Sequence, residues 1–252
     1  MKPFHDLLYS SAREHGHLCA GQVVGVRMAM LGCRLIGLDD PTSHDQIKKL
    51  IVFVEMDRCT ADAVAHVTGV KLGRRSLKYM DYGIMAATFV NLESGKAFRV
   101  ISTEEARDLV PHYAPMMQGK SRQQVEAYQR MPDSVLFRVQ KVEVPLSPFD
   151  MPGPTRRKTV CMRCGQVVRD HREVEADGGA VLCKPCAQGA YFENARETTW
   201  ENMNWAPVPR EPGRDSGAEK TQAPDSLQRG ILPRERQEEI ETPVLKAMGQ
   251  RV

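Results

Sequence analysis

Two cysteine pairs constrain this chain more than any other feature: Cys161-x-x-Cys164, eighteen residues, then Cys183-x-x-Cys186. A CxxC turn brings two sulfurs into one coordination sphere, and four thiolates in two such pairs match tetrahedral zinc. Gly165 and Pro185 suit the tight turns that these knuckles need. A thioredoxin-like redox centre would need one CxxC beside a βαβ unit. Two disulfides would need an oxidising compartment, and nothing else in the chain points to one. With all four positions thiolate the site is closed, so its zinc is expected to hold structure rather than perform chemistry. The spacing fits a zinc ribbon or a treble clef over residues 160–192.

Composition sets the frame around that module. The chain has 252 residues, enough for one fair-sized domain plus a small one. Hydrophobic residues at 41% and charged residues at 27% allow an ordinary core. A net charge of +3 argues neither for nor against nucleic acid. The start, MKPFHDLLYSSAREHGH, lacks the apolar run of a signal peptide. The most apolar stretch, Ala20 to Leu38, carries Arg27 and Arg34 and is a poor membrane span. Seven cysteines, four of them with zinc spacing, point to a reducing, cytoplasmic setting.

Residues 1–145 read as an α+β domain with a mixed or antiparallel sheet and packed helices. Helices are expected over His5 to Glu14, Gly21 to Leu35 and Thr60 to Thr68, the last closed by Gly69. In the second, Gly21, Gly25, Ala29 and Gly32 recur at helical spacing, which permits close packing. Leu50 to Val54 is a central-strand pattern. Further strands are expected at Leu77 to Asp81, Ala86 to Leu92, Phe98 to Ile101 and Leu136 to Val144. Capping-box patterns at Ser102 and Ser121 mark two helix starts. A stiff proline-rich linker, 146–159, leads to the zinc module. A short helix over Gln188 to Arg196 would follow. The tail, 193–252, reads as mostly flexible, with Trp200 and Trp205 as clamps and a weak helix over Glu235 to Met248.

A second constellation lies near the start. His15, His17 and Cys19 fall within five residues, and Cys59 ends the stretch after the central strand. Cys19 and Cys59 both stand at expected helix starts, where free N–H groups and the helix dipole favour thiolate. If these starts converge, His17, Cys19 and Cys59 make an open metal site with His15 as a further contact. Asp57 and Asp62 flank Cys59 as ligand, orienting group or general base. Cys19, Cys59 and Asp62 are therefore the catalytic candidates. Against this stands the plain reading of buried cysteines and a polar His-Gly-His turn. Cys33 reads as core, and His66 and His171 as bystanders. Tyr79, Asp81, Tyr82 and Gly83 read equally as a strand bulge or as a wall of the same cleft. Arg74, Arg75 and Lys78 are a solvated face or an attractor for an anionic substrate.

Taken together, His15-Gly16-His17-Leu18-Cys19-Ala20-Gly21, Glu55 to Val64, Thr68 to Gly73 and Asp81-Tyr82-Gly83 resemble, in order, the FmdE family, which takes its name from formylmethanofuran dehydrogenase. The resemblance covers about residues 10–145, and the four-cysteine module is similar to a DksA/TraR-type finger appended in longer members. Ala20 stands where the family usually has Pro, Val70 where it has a second Cys, and Ile84 where it has Lys. Roles resting on that second Cys or that Lys do not carry over. The resemblance implies a metal-binding α+β core, often a homodimer, encoded beside molybdenum or tungsten enzymes of one-carbon metabolism. The leading expectation is a zinc protein with a second divalent metal in the open site, where the ligand types favour zinc again. It would be an accessory or subunit-like partner of a formylmethanofuran- or formate-type dehydrogenase. A zinc-finger module docking on nucleic acid through Arg156, Arg157 and Lys158 is less favoured, because acidic residues interleave the module's basic ones. A thiol redox protein using Cys19 and Cys59 is the third reading.

Overall fold

The computed structural model describes residues 1–196. They divide between two compact units, residues 1–155 and the unit that begins at Arg156. The tryptophans, the expected tail helix and most of the expected flexible tail lie outside the described residues.

The first unit opens with helices α1 (Phe4–His15) and α2 (Ala20–Leu35). Strand β1 (Leu50–Val54) follows, then helix α3 (Cys59–Thr68) and the short strand β2 (Leu77–Tyr79). Strands β3 (Ala86–Asn91) and β4 (Ala97–Ser102) form a hairpin across a Gly95 turn. Short helices α4 (Glu105–Asp108) and α5 (Val110–Tyr113), helix α6 (Lys120–Arg130) and the single turn α7 (Asp133–Leu136) lead to β5 (Phe137–Lys141). The sheet order is β2-β1-β3-β4-β5. The β1–β2 pair is parallel, with α3 as its crossover, and the other three pairs are antiparallel, so the sheet is mixed.

Side-chain alternation sorts β1 onto two faces. Leu50, Val52 and Val54 join the main core with α2 and α3. Ile51 and Phe53 point the other way, into a smaller cluster with Val90, Val142, Val144, Leu146 and Met151. Every residue of β3 is buried, as expected of a strand covered on both faces. Part of the proline-rich stretch is thus folded onto the sheet, and Lys78 Nζ donates to the Asp150 carbonyl at 2.7 Å.

The small-residue stripe of α2 decides how closely its neighbours approach. A Cβ on Gly25 would lie 2.6 Å from Ala63 Cβ and 2.6 Å from the Thr60 carbonyl, and one on Gly32 would lie 2.2 Å from the Phe89 ring. Arg27, which spoils the membrane-span reading, donates to the Tyr128 and Met131 carbonyls, each at 2.6 Å, and pairs with Asp133. It thereby caps the end of α6. No helix among the described residues is long and apolar enough to cross a membrane.

Three local expectations change. Helix α6 begins after Gly119, at φ 86°, so Ser121 lies inside the helix and is not its cap. Pro132 and Asp133 divert the chain into α7, so β5 starts at Phe137, and the strand ends at Lys141 rather than Val144. The helix in the four-cysteine module is Lys184–Gln188, ended by Gly189, and does not run on to Arg196.

The second unit contains two antiparallel hairpins. They are β6 (Lys158–Val160) with β7 (Val167–Arg169), and β8 (Val174–Ala176) with β9 (Ala180–Leu182); helix α8 (Lys184–Gln188) follows. The first Cys pair sits in the β6–β7 turn, and the second stands at the start of α8. This is the treble-clef arrangement of knuckle and helix.

Candidate metal centres

The first centre is assembled by helix ends. Gly16 ends α1 in the left-handed region, at φ 97°, and turns the chain so that His15 and His17 come together with ring centroids 4.8 Å apart. Cys19 is the N-cap of α2, and Cys59 is the first residue of α3. Fully buried Gln22 locks the two starts to each other. Its Nε2 donates to the Cys59 carbonyl at 2.8 Å, and its Oε1 accepts from Ser11 at 2.5 Å. Thr60 Oγ1 donates to the Gly21 carbonyl at 3.2 Å.

Donor atoms of His15, His17 and Cys19 lie within 4.8 Å of one another. Cys59, at the start of α3, falls outside that three-residue group, although it lies near enough to Cys19 to act on its thiol. His15 Nδ1 contacts Asp62 Oδ2 at 3.0 Å, while its Nε2 is buried with no hydrogen-bond partner. A buried imidazole nitrogen left unpaired is costly unless something binds there. A carboxylate on the far nitrogen of a histidine is the usual support for a metal-binding imidazole. His17 is exposed, so the cluster opens to solvent. The residues present therefore fit a divalent, zinc-type ion.

The thiol chemistry corrects one expectation drawn from sequence. Burial pushes the Cys19 thiol up, and neighbouring Cys59 adds to the rise. The N–H groups of Gln22 and Gly21 at the helix start pull the other way but do not win. The half-buried Cys19 thiol keeps its proton until a cation arrives to replace it.

Other candidates lie elsewhere. Asp57 is exposed and acts on Tyr79, whose hydroxyl donates to Asp81 Oδ1 at 2.8 Å. Lys78 is occupied by Asp150. Cys33 is fully buried, and burial pushes its thiol up to about 12, as expected of a core residue. Glu55 is buried against Arg99 in a two-pronged pair, at 2.7 and 2.6 Å. Gln22 was not visible from sequence, because a glutamine within an apolar helix carries no spacing signal of its own.

In the second centre, the sulfurs of Cys161, Cys164, Cys183 and Cys186 lie within 4.8 Å of one another, with Cys164 and Cys183 3.7 Å apart. Backbone N–H groups, that of Cys164 foremost and then that of Cys183, lower the Cys161 thiol to about 6. Cys186, hydrogen-bonded to the Cys183 and Cys164 thiols, is pushed up to about 12. The cluster thus accepts one negative charge readily and resists further ones, a conflict that a divalent cation resolves. His171 bonds Glu173 at 3.0 Å and takes no part in the four-sulfur group.

Known proteins share this outline. The chain is 28% identical over 204 residues to a probable S-adenosyl-L-methionine-binding protein of Archaeoglobus fulgidus. That match covers 74% of this chain and 53% of the relative, so the chain spans about half the length of the curated relative it matches. Among solved structures, the chain is similar to the crystal structure of a tungsten formylmethanofuran dehydrogenase FmdE-like protein from Syntrophus aciditrophicus. The TM-score is 0.47 at 16% identity, covering 75% of this chain and 94% of that one. The family model described as FmdE, molybdenum formylmethanofuran dehydrogenase operon, matches residues 14–142. That span takes in both helix-start cysteines, the His15–Asp62 pair and the whole mixed sheet, and by it the chain belongs to the FmdE family.

Proposed function

We propose that this FmdE-family chain carries two metals: an open Cys/His site built on His15, His17, Cys19 and Cys59, and a closed structural zinc on Cys161, Cys164, Cys183 and Cys186. The observation that carries the reading is the buried, partnerless Nε2 of His15 beside His17 and Cys19, with Asp62 on its other nitrogen. Zinc is the ion that such thiolate and imidazole ligands suit, and when bound in the open site it supplies a Lewis acid to water, a carbonyl or a thiol. The chain's own groups position that site: Asp62 holds the His15 ring, and Gln22 holds the two helix starts together. His17 stands at the solvent edge, where a small molecule would enter.

The protein is further proposed to act as an accessory or subunit-like partner, as a homodimer, of a molybdenum or tungsten formylmethanofuran- or formate-type dehydrogenase. Membership of a family described by such an operon supports this. Elemental analysis of purified protein tests the metal reading. Two metals per chain are expected for wild type and one for the Cys19→Ala/Cys59→Ala variant; equal content in both would overturn the open site. Affinity purification from the native cell should bring down a dehydrogenase catalytic subunit, and sedimentation should give a dimer mass. Binding of S-adenosyl-L-methionine, suggested by the archaeal relative, is the second reading; equilibrium dialysis decides it.

A further inference from the structure

The same two helices that carry His15, Asp62 and Cys59, α1 and α3, also bring together a nucleophile, a base and an orienting carboxylate. Ser10 and Glu14 lie one helical turn apart on the same face of α1, and His66 faces them from α3. His66 Nδ1 is 2.6 Å from Glu14 Oε2, and its Nε2 is 2.8 Å from Ser10 Oγ. With Nδ1–H donating to Glu14 Oε2, the Nε2 lone pair faces the serine. Ser10 has one alternative acceptor, the Leu7 carbonyl at 3.1 Å, which is the longer contact. His66 is 21% exposed at its side chain, so the base is sheltered but reachable. Both Ser10 and His66 line a cavity of about 570 Å³, with Leu7, Val67 and Thr42 in its wall and Lys2 as a cation.

We propose that Ser10, His66 and Glu14 form an acyl-transfer site for small acyl esters, separate from the metal chemistry. Ser10 Oγ attacks the ester carbonyl carbon and its proton passes to His66 Nε2. As the tetrahedral species collapses, the C–O bond to the alcohol breaks and the alcohol oxygen takes that proton. Water then attacks the acyl-serine, giving one proton to Nε2; the carboxylic acid leaves and Ser10 recovers its hydrogen. Lys2 and Asp40 both line the cavity, so its wall carries charge of both signs. Leu7, Pro41 and Val67 form the apolar part of the cavity, against which an acyl chain would pack. Glu14 is 74% exposed, so its hold on the ring is weaker than that of a buried carboxylate.

The test uses the full chain with a fluorophosphonate probe, whose phosphorus takes up the serine oxygen as fluoride leaves. A single adduct on the Ser10 peptide is expected, absent in Ser10→Ala. Labelling should slow about 100-fold in His66→Gln, the scale of a lost general base, and about 10-fold in Glu14→Gln. Thermal melts of each variant establish that it is folded. No adduct on Ser10, or unchanged labelling in folded His66→Gln, overturns the proposal. Hydrolysis of p-nitrophenyl acetate separates this site from the metal: activity lost in Ser10→Ala but kept in Cys19→Ala/Cys59→Ala supports it, and the reverse pattern overturns it.

Discussion

Asp62 would set the proposed metal site through the His15 ring rather than by touching the ion. Its carboxylate fixes which His15 nitrogen carries the proton and so leaves Nε2 to bind. Asp62→Asn keeps the shape but loses the charge, and metal affinity should fall about 10–100-fold with little change in folding; chelator competition measures this. Cys33 offers the contrasting case of a thiol packed in the core. Its folded value of about 12 lies above the ordinary 9, so the buried group costs nothing at neutral pH. As pH rises from 9 toward 12 the unfolded chain ionises first, and Cys33 then favours unfolding. Native protein at pH 8, stripped of metal, should resist iodoacetamide at Cys33, while half-buried Cys19, with its raised thiol, should react faster than Cys33 but more slowly than a free cysteine. Peptide mapping reads the outcome.

At the scale of elements, the α2–α3 packing positions the open site, because Cys19 and Cys59 head these two helices. Gly25 sits where they approach most closely, and a methyl there would meet the Thr60 carbonyl at 2.6 Å. Alanine gains about 0.5–1 kcal/mol of helix propensity over glycine. Overpacking costs about 1–3 kcal/mol, and here the obstacle is backbone, which cannot rotate away. Gly25→Ala should therefore destabilise by about 1–2 kcal/mol on those terms and should also loosen metal binding by separating the helix starts. Urea unfolding checks the first effect and metal titration the second. The spacing of Gly21, Gly25, Ala29 and Gly32 shows in sequence that something comes close, but not what. In the fold, α3 meets the first part of the stripe and Phe89 of β3 the last.

For the whole molecule, the two units are proposed to fold on separate principles. The first has a two-faced sheet and a continuous core. Among its described residues, the second buries Cys161, Leu182 and Cys183 with a few half-buried neighbours, too little apolar surface to stand alone. Zinc binding, worth roughly 10–16 kcal/mol in comparable small modules, would supply the difference. Chelation, or Cys183→Ser, should make residues 160–192 protease-sensitive while the first unit keeps its melting temperature; a module that stays folded without metal contradicts this. A protease site introduced at Gly153 should release two soluble folded pieces. A cut at Pro145 would strip Leu146 and Met151 from the sheet and lower the stability of the first piece, measurable by thermal melt.

The four-sulfur cluster, the strand and helix order and the small-residue face of α2 were legible in the sequence because each rests on a local period or spacing. The open site was legible only in part. HxHxC names the three residues whose donor atoms come together, and Cys59 remains a proposed fourth, but which nitrogen of His15 is orphaned depends on Asp62, 47 residues away, brought there by α3. The Cys19 thiol shows the same division. Its place at a helix start follows from sequence and argues for a low value, yet burial beside Cys59 raises it. Ser10, Glu14 and His66 leave no motif, since one lies on α3 and two on α1, and only packing of those helices puts their hydrogen bonds in line. Periodic and covalent-spacing signals are written along the chain. Desolvation and contacts between distant residues come into being only when the chain closes on itself.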